Sequence, residues 1–165
     1  MLDDDNLSRW SFIKETLEKA NIPQSLEIYE AVISCLAHHI NFADLSTIFN
    51  EMKEKGLNLS LDAFNSIMRA FTTKSLSDVL FITNLIQESG YQLNQDSFTT
   101  LILSCTKHND FDMALKLYQD MKSISVEPNS IIMNELIIAA CKTEKKQLAL
   151  DLFNEARELK LVTWF

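Results

Sequence analysis

A seven-residue pattern stands at residues 62–68, Asp-Ala-Phe-Asn-Ser-Ile-Met, and again at residues 96–102, Asp-Ser-Phe-Thr-Thr-Leu-Ile. The aromatic residue of each copy belongs to a longer series of large residues that recur every 34 or 35 positions: Tyr29, Phe64, Phe98 and Met133. Apolar or small residues follow each of them at three, four and seven positions. This is the spacing of one face of an α-helix. The series therefore predicts four copies of one helical unit.

A second apolar series follows within every unit, and it also repeats at this period. Its members are Ile48, Ile82, Leu117 and Leu152, followed four residues later by Met52, Ile86, Met121 and Ala156. Each unit is therefore predicted to be a pair of helices, with boundaries at 26–60, 61–94, 95–129 and 130–165. One pair has too small a core to be stable alone, whereas stacked pairs bury a continuous one. We expect an all-α, right-handed α-solenoid.

Residues 1–25 are predicted to form an N-terminal tail and a capping helix. Trp10, Ile13 and Leu17 stand in the register of the second-helix series, so this segment is predicted to be half a repeat. Trp10 is expected to cover the first open face of the array. Trp164 and Phe165 are expected to cover the last one.

Glycine and proline are scarce, with two of each in 165 residues. Hairpin turns and phosphate-binding loops both need more glycine than this, so sheet folds and nucleotide-binding loops are excluded. Gly56 and Gly90 occupy equivalent positions, where we expect left-handed backbone to end the second helices. Pro23 and Pro128 are expected to stop the helices that precede them.

No pattern typical of an enzyme, a metal site or a cofactor site is present, and we expect none of these. The three cysteines, Cys35, Cys105 and Cys141, form no Cys-x-x-Cys pair and are predicted to be small core residues in a reducing compartment. No apolar run is long enough to span a membrane. The acidic start, Met-Leu-Asp-Asp-Asp, is unlike a secretory or transit signal.

The units resemble pentatricopeptide repeats over about residues 26–160. The resemblance rests on the 35-residue period, on the two stretches quoted first, and on three more: Ala-Leu-Lys-Leu-Tyr-Gln-Asp-Met at 114–121, Ser-Val-Glu-Pro-Asn at 125–129 and Asn-Ser-Ile-Ile-Met-Asn-Glu-Leu-Ile at 129–137. Tetratricopeptide repeats fit less well, because their Trp…Leu-Gly…Tyr start is missing. The resemblance implies an RNA-binding solenoid of mitochondria or plastids that acts in organellar RNA processing, stability or translation. A cytoplasmic location is the alternative, since no transit peptide is visible.

In the pentatricopeptide family, the residue after the opening aromatic and the last residue of the repeat select one base of single-stranded RNA. This implies a set of base-facing residues: Asn65, Asn94, Thr99, Asn129 and Asn134. The pair of Asn65 and Asn94 would read a pyrimidine, and the pair of Thr99 and Asn129 would read adenine. By the same resemblance, Lys107 and Lys142 would face phosphates. These asparagines and the threonine could equally be ordinary helix caps and turn residues.

Charge favours a second hypothesis. The formal net charge is −8, whereas RNA affinity depends largely on neutralising phosphates with basic residues. Carboxylates replace the family's usual aliphatic residue two positions before the opening aromatic, and one more follows the first of these aromatics; the four are Glu27, Glu30, Asp62 and Asp96. They predict an acidic groove. The alternative to RNA binding is therefore a protein scaffold whose acidic groove holds a basic segment of a partner.

Overall fold

The structure is a computed structural model that describes residues 9–36 and 42–161. Within these two ranges the chain forms nine α-helices and no strand. The helices are α1 Arg9–Lys19, α2 Leu26–Leu36, α3 Phe42–Glu54, α4 Leu61–Phe71, α5 Leu76–Glu88, α6 Gln95–Lys107, α7 Phe111–Ser123, α8 Ser130–Lys142 and α9 Lys146–Glu158. The predicted fold class, an all-α helical-repeat solenoid, is confirmed.

The backbone repeats with the same period as the sequence. A residue with positive φ follows each second helix: Asn21 (52°), Gly56 (67°), Gly90 (82°), Ser125 (60°) and Lys160 (56°). The predicted left-handed stop at the two glycines is confirmed. A Cβ at either glycine would meet no atom within 4 Å, so the backbone conformation and not crowding favours glycine there. The first helices α6 and α8 are also followed by left-handed residues, Asn109 and Glu144. Asn21 belongs to the second-helix series because it stands 35 residues before Gly56, one full period.

The helices before Pro23 and Pro128 end upstream of these prolines, and a left-handed residue stands at each helix end. Helix α7 ends at Ser123 and the chain turns at the left-handed Ser125, before Pro128 is reached. Likewise α1 ends at Lys19, upstream of the left-handed Asn21. A left-handed residue satisfies the last carbonyl groups of a helix by itself, so the helix end does not depend on proline.

Short polar residues cap the N-termini of α5, α6, α7 and α8. The side chains of Ser75, Asn94, Asp110 and Asn129 each accept a hydrogen bond from a backbone N–H three residues ahead. Such caps satisfy donors that have no partner within the helix. Ser75 and Asp110 thereby also mark the short turns between α4 and α5 and between α6 and α7.

The chain divides into two compact units, Met1–Ile67 and Met68–Phe165, with the division inside α4. In the first unit, α1 and α2 both pack on α3. In the second, the first helices α6 and α8 lie side by side, and each packs against the helix that follows it. The core of the second unit contains members of both predicted apolar series, among them Phe98, Met121 and Leu136. The boundaries proposed from the sequence stay a prediction.

The prediction for the cysteines is wrong at Cys141. Cys105 is fully buried in the core of the second unit, seven residues after Phe98. Cys141 stands eight residues after Met133 and is exposed, because one further residue rotates it about 100° away from the core-facing side of α8. The side chain of Cys35 and the residues Trp164 and Phe165 lie outside the described part.

Candidate nucleic-acid interface

A direct hydrogen bond joins two of the predicted base-facing residues. The side-chain amide of Asn129 donates to Thr99 Oγ1 over 2.9 Å. Asn129 also caps α8, where its side-chain oxygen accepts the N–H of Ile132 at 2.9 Å. Thr99 in turn donates to the carbonyl oxygen of Gln95 at 2.7 Å. Both side chains are half-buried, so these bonds hold the pair in place while part of each side chain stays exposed to solvent. The second N–H of the Asn129 amide remains as a donor.

Two further hydrogen bonds tie α6 to the segment that leads into α8 and to α8 itself. Gln95 donates from its side-chain amide to the carbonyl oxygen of Glu127 at 2.9 Å. Thr106 donates to the carboxylate of Glu135 on α8 at 3.2 Å. Together they fix the register of α6 against α8, and the Thr99–Asn129 pair is therefore built on rigid elements.

The other predicted base-facing pair has less free hydrogen-bonding capacity. Asn65 is only 1% exposed, so a base could reach its amide only if neighbouring side chains moved. Asn94 caps α6, and its side-chain oxygen accepts both the N–H and the hydroxyl of Ser97, at 3.0 and 2.9 Å. The capping function predicted as the alternative is therefore real for Asn94 and Asn129, and base reading at these positions stays a prediction.

The paired first helices of the second unit carry exposed polar and basic side chains. Lys107 is the last residue of α6 and Lys142 the last residue of α8, and both are exposed. Asn134 is exposed on α8, and so is Ile131, which is 51% exposed. Ile131 is the one aliphatic residue at the position where the other repeats have carboxylates. The fourth repeat therefore combines an apolar, an amide and a cationic side chain on one exposed first helix.

The predicted acidic residues are only partly brought together. Glu30 and Asp62 line one cavity of about 260 Å³ in the first unit, together with Ser60. Glu30 accepts the backbone N–H of Ser60 at 3.0 Å, and these two residues hold the repeat positions that Thr99 and Asn129 hold further on. Glu27 is exposed and does not line this cavity, and Asp96 belongs to the second unit.

A cluster around Glu51 was not foreseen from the sequence. Its carboxylate accepts hydrogen bonds from Trp10 Nε1 (3.1 Å) and the Tyr29 hydroxyl (3.0 Å), and it pairs with Lys14 (2.9 Å) and Lys55 (3.0 Å). Burial favours the neutral acid, but these four donors outweigh it and hold the pKa of Glu51 at about 2. The cluster joins α1, α2 and α3. We assign it to stability, because its donors converge on the Glu51 carboxylate and link three helices.

Among residues 9–36 and 42–161 no three His, Cys, Asp or Glu side chains are grouped as a metal site would require. None of the described helices is long and apolar enough to cross a bilayer. Among the predicted binding residues that the structure describes, those on α6 and α8 form a polar and basic surface, and Glu30 and Asp62 form an acidic one.

Comparison with known proteins identifies the repeat. A family model described as the pentatricopeptide repeat domain matches residues 12–74, and one described as the PPR repeat family matches residues 93–131. The chain belongs to the pentatricopeptide repeat (PPR) family. The two matched segments together include most of α1 and more than half of the chain, so the resemblance read from the sequence is confirmed.

Two curated relatives carry the same repeat in longer chains. A chloroplastic pentatricopeptide repeat-containing protein of Arabidopsis thaliana is 30% identical over 89 residues, which are 53% of this chain and 18% of the relative. The mitochondrial 15S rRNA processing factor CCM1 of the yeast Meyerozyma guilliermondii is 27% identical over 125 residues, 73% of this chain and 19% of that protein. This PPR chain thus spans about a fifth of the length of either relative.

Solved PPR structures share the fold at low identity. The PPR domain of Arabidopsis thaliana protein-only RNase P 1, in complex with tRNA, has a TM-score of 0.73 at 14% identity, covering 94% of this chain and 82% of that one. PPR10 of maize has a TM-score of 0.75 at 18% identity, covering 90% of this chain and 21% of that one. At these identities the likeness establishes the PPR fold but does not identify a ligand for this chain.

Proposed function

We propose that this PPR protein binds single-stranded RNA and acts in organellar RNA processing, stability or translation, as one component of a larger ribonucleoprotein. The proposal rests first on the bonded pair of Thr99 and Asn129, which occupies the family's base-reading positions. It rests second on the exposed Lys107 and Lys142 at equivalent ends of the paired helices α6 and α8.

The arrangement suits a single strand for a physical reason. Helical repeats present one short polar side chain per unit, and each can hydrogen-bond the edge of one unstacked base. In the second unit, Thr99 and Asn134 occupy that position in successive repeats, while a lysine closes each helix. We infer that bases contact Thr99, Asn129 and Asn134 and that phosphates contact the two lysines. By the family's code, the Thr99–Asn129 pair would favour adenine.

Replacing Lys107 and Lys142 together by alanine is expected to weaken RNA binding roughly tenfold near 100 mM salt. Because each phosphate contact on a single strand contributes about 0.7 to the slope of log affinity against log salt, the slope should fall by about 1.4. A fluorescence anisotropy titration with a mixed-sequence RNA of about 12 nucleotides, repeated at several salt concentrations, measures both quantities.

The matched control replaces Lys53 and Lys116, which are exposed on the second helices α3 and α7. It makes the same change in net charge away from the proposed interface and should leave affinity and salt slope almost unchanged. Equal losses in both variants would show non-specific attraction only. If the unaltered protein binds no RNA even at low salt, the proposal is wrong for this chain.

The second candidate is a scaffold that holds a basic protein segment in its acidic groove. It is favoured by the net charge of −8 and by the cavity that Glu30 and Asp62 share. The two candidates respond oppositely when Asp62 and Asp96 are both replaced by asparagine. A scaffold would release a co-purifying basic partner, whereas an RNA binder would gain affinity, about two- to fivefold, because two charges that repel phosphate are removed. Pull-down of the partner and the RNA titration above measure the two responses.

A mitochondrial or plastid location is part of the proposal. It is supported by the location given for the two relatives, one chloroplastic and one mitochondrial. Fluorescent tagging of the full-length protein in its own cells, scored against organelle markers, tests the location.

A further inference from the structure

A groove of about 520 Å³ lies between the second helices α7 and α9, away from the residues proposed to contact RNA. Leucines form its apolar surface: Leu115 on α7, and Leu148 and Leu152 on α9. Polar groups of both helices complete it, among them Tyr118, Lys122, Asp151 and Glu155. The groove thus combines an apolar surface with a small set of convergent polar groups, the composition of a binding site for a side chain.

The hydroxyl of Tyr118 is shielded from solvent beside the carboxylate of Glu155. Tyr118 is 4% exposed, and no donor or acceptor among the described residues forms a hydrogen bond of ordinary geometry with its buried hydroxyl. Burial, and then the looser interaction of the hydroxyl with the Glu155 carboxylate, raise the pKa of Tyr118 far above its ordinary value, so the hydroxyl stays protonated. A buried hydroxyl without a well-formed hydrogen bond carries a desolvation cost that a closer partner would remove.

The first unit shows what a carboxylate at the position of Glu155 can accept. Glu155 and Glu51 both stand three residues after the second-helix apolar series, at Leu152 and Ile48. Glu51 receives donors from a tryptophan, a tyrosine and two lysines. Within the described part of the chain, Glu155 pairs with Lys122 and also faces the Tyr118 hydroxyl. Asp151 lies one turn before Glu155, is exposed, and accepts one bond from Gln147 at 2.9 Å.

We propose that this groove binds an arginine side chain from a basic segment of a partner protein. The apolar stem of arginine would pack on Leu115, Leu148 and Leu152, as long cationic side chains do on apolar surfaces. Its guanidinium group offers five N–H donors in a planar fork, which suits the two carboxylates and, once Lys122 moves off the Tyr118 ring, the shielded hydroxyl of Tyr118. Two carboxylates against one lysine leave the groove negative, and this favours a cation over an uncharged side chain.

The inference goes beyond the proposed RNA-binding function and stands independently of it. RNA is assigned to the first helices α6 and α8, whereas the groove belongs to the second helices α7 and α9. The molecule would therefore hold RNA and a protein segment at the same time, as an adaptor between the two.

The test is an NMR titration of the full chain with the peptide acetyl-Gly-Gly-Arg-Gly-Gly-amide. We expect saturable shifts of the backbone amides at 115–122 and 148–155. The same peptide with citrulline, which is nearly isosteric with arginine but uncharged, should bind at least tenfold more weakly. Tyr118→Phe should weaken arginine binding about three- to tenfold through loss of one hydrogen bond, and Asp151→Asn should do so by a similar factor.

Stability separates a binding role of Tyr118 from a merely structural one. Tyr118→Phe removes a buried hydroxyl that forms no hydrogen bond of ordinary geometry, so the melting temperature should stay the same or rise while arginine binding falls. Tyr91→Phe, at an exposed tyrosine of the same unit, is the control and should change neither. The proposal is overturned if the citrulline peptide binds equally well, if the shifts fall on other helices, or if Tyr118→Phe leaves binding unchanged. Displacement of the peptide by a 12-nucleotide RNA would overturn it too, whereas failure of RNA to bind anywhere would contradict the proposed function alone.

Discussion

Replacing Trp10 by alanine is expected to lower the free energy of unfolding by about 3–5 kcal/mol, the usual cost of truncating a buried aromatic residue to alanine. Trp10 is 2% exposed, and its ring lies 5.4 Å from that of Tyr29. Its indole N–H also donates to Glu51 over 3.1 Å. The substitution therefore removes buried area, an aromatic contact and one donor to a carboxylate. Urea denaturation followed by circular dichroism at 222 nm measures the loss.

The same helix supplies the control. Phe12 is also aromatic and lies two residues further along α1, but it is 66% exposed. Phe12→Ala should change the free energy of unfolding by no more than about 0.5 kcal/mol. Trp10→Phe keeps most of the apolar area and loses the N–H donor, so it should fall between the two. Equal effects of Trp10→Ala and Phe12→Ala would contradict the assignment of Trp10 to the core of the first unit.

Replacing Glu51 by glutamine is expected to cost about 2–3 kcal/mol at pH 7. The pKa of Glu51 is about 2 in the folded chain, against an ordinary value of 4.5. Each unit of that difference corresponds to about 1.4 kcal/mol of preference for the ionised form. The carboxylate side chain is 14% exposed, so water screens its four donors little. Glutamine has the same shape but no charge, so the variant loses most of the stabilisation that the ionised carboxylate provides.

The pH dependence of the Glu51 contribution has a definite sign. A carboxylate whose folded pKa is depressed stabilises the fold above its unfolded pKa and loses that contribution as the pH falls through its folded pKa. The stability difference between the unaltered chain and Glu51→Gln should thus be full above about pH 5 and vanish near pH 2. Denaturant titrations at intervals across this range measure it. Glu54→Gln, at an exposed glutamate of α3, is the matched control and should change the free energy of unfolding by no more than about 0.5 kcal/mol at pH 7. A stability difference for Glu51→Gln that does not change with pH would contradict the cluster.

The helices and their turns follow from the sequence because they depend on short-range patterns. The spacing of Tyr29, Phe64, Phe98 and Met133 is enough to place the first helices, and Gly56 and Gly90 are enough to place two of the stops. The clusters around Glu51 and Tyr118 do not follow in this way. Glu51 meets Trp10 across 41 positions of chain, and that contact depends on the packing of α1 against α3 and on the direction of long side chains.

The candidate RNA-binding residues divide for a similar physical reason. The joint role predicted for Thr99 and Asn129 comes from the family resemblance, which pairs the residue after the opening aromatic with the last residue of the same repeat. The burial of Asn65 could not be predicted, because it depends on the volume of the side chains packed around it. Position in a repeat therefore predicts the neighbourhood of a residue better than its exposure.

The evenly spaced left-handed residues have a consequence for protein engineering. Gly90 and Ser125 have similar backbone conformations and are separated by one full period. Excising residues 91–125 would remove α6 and α7 together and connect Gly90 to the residue that now follows Ser125. Duplicating the same segment would add one helix pair. Exchange at these positions leaves every remaining helix at its natural length. The left-handed residues thus mark the boundaries at which one helix pair can be exchanged for another.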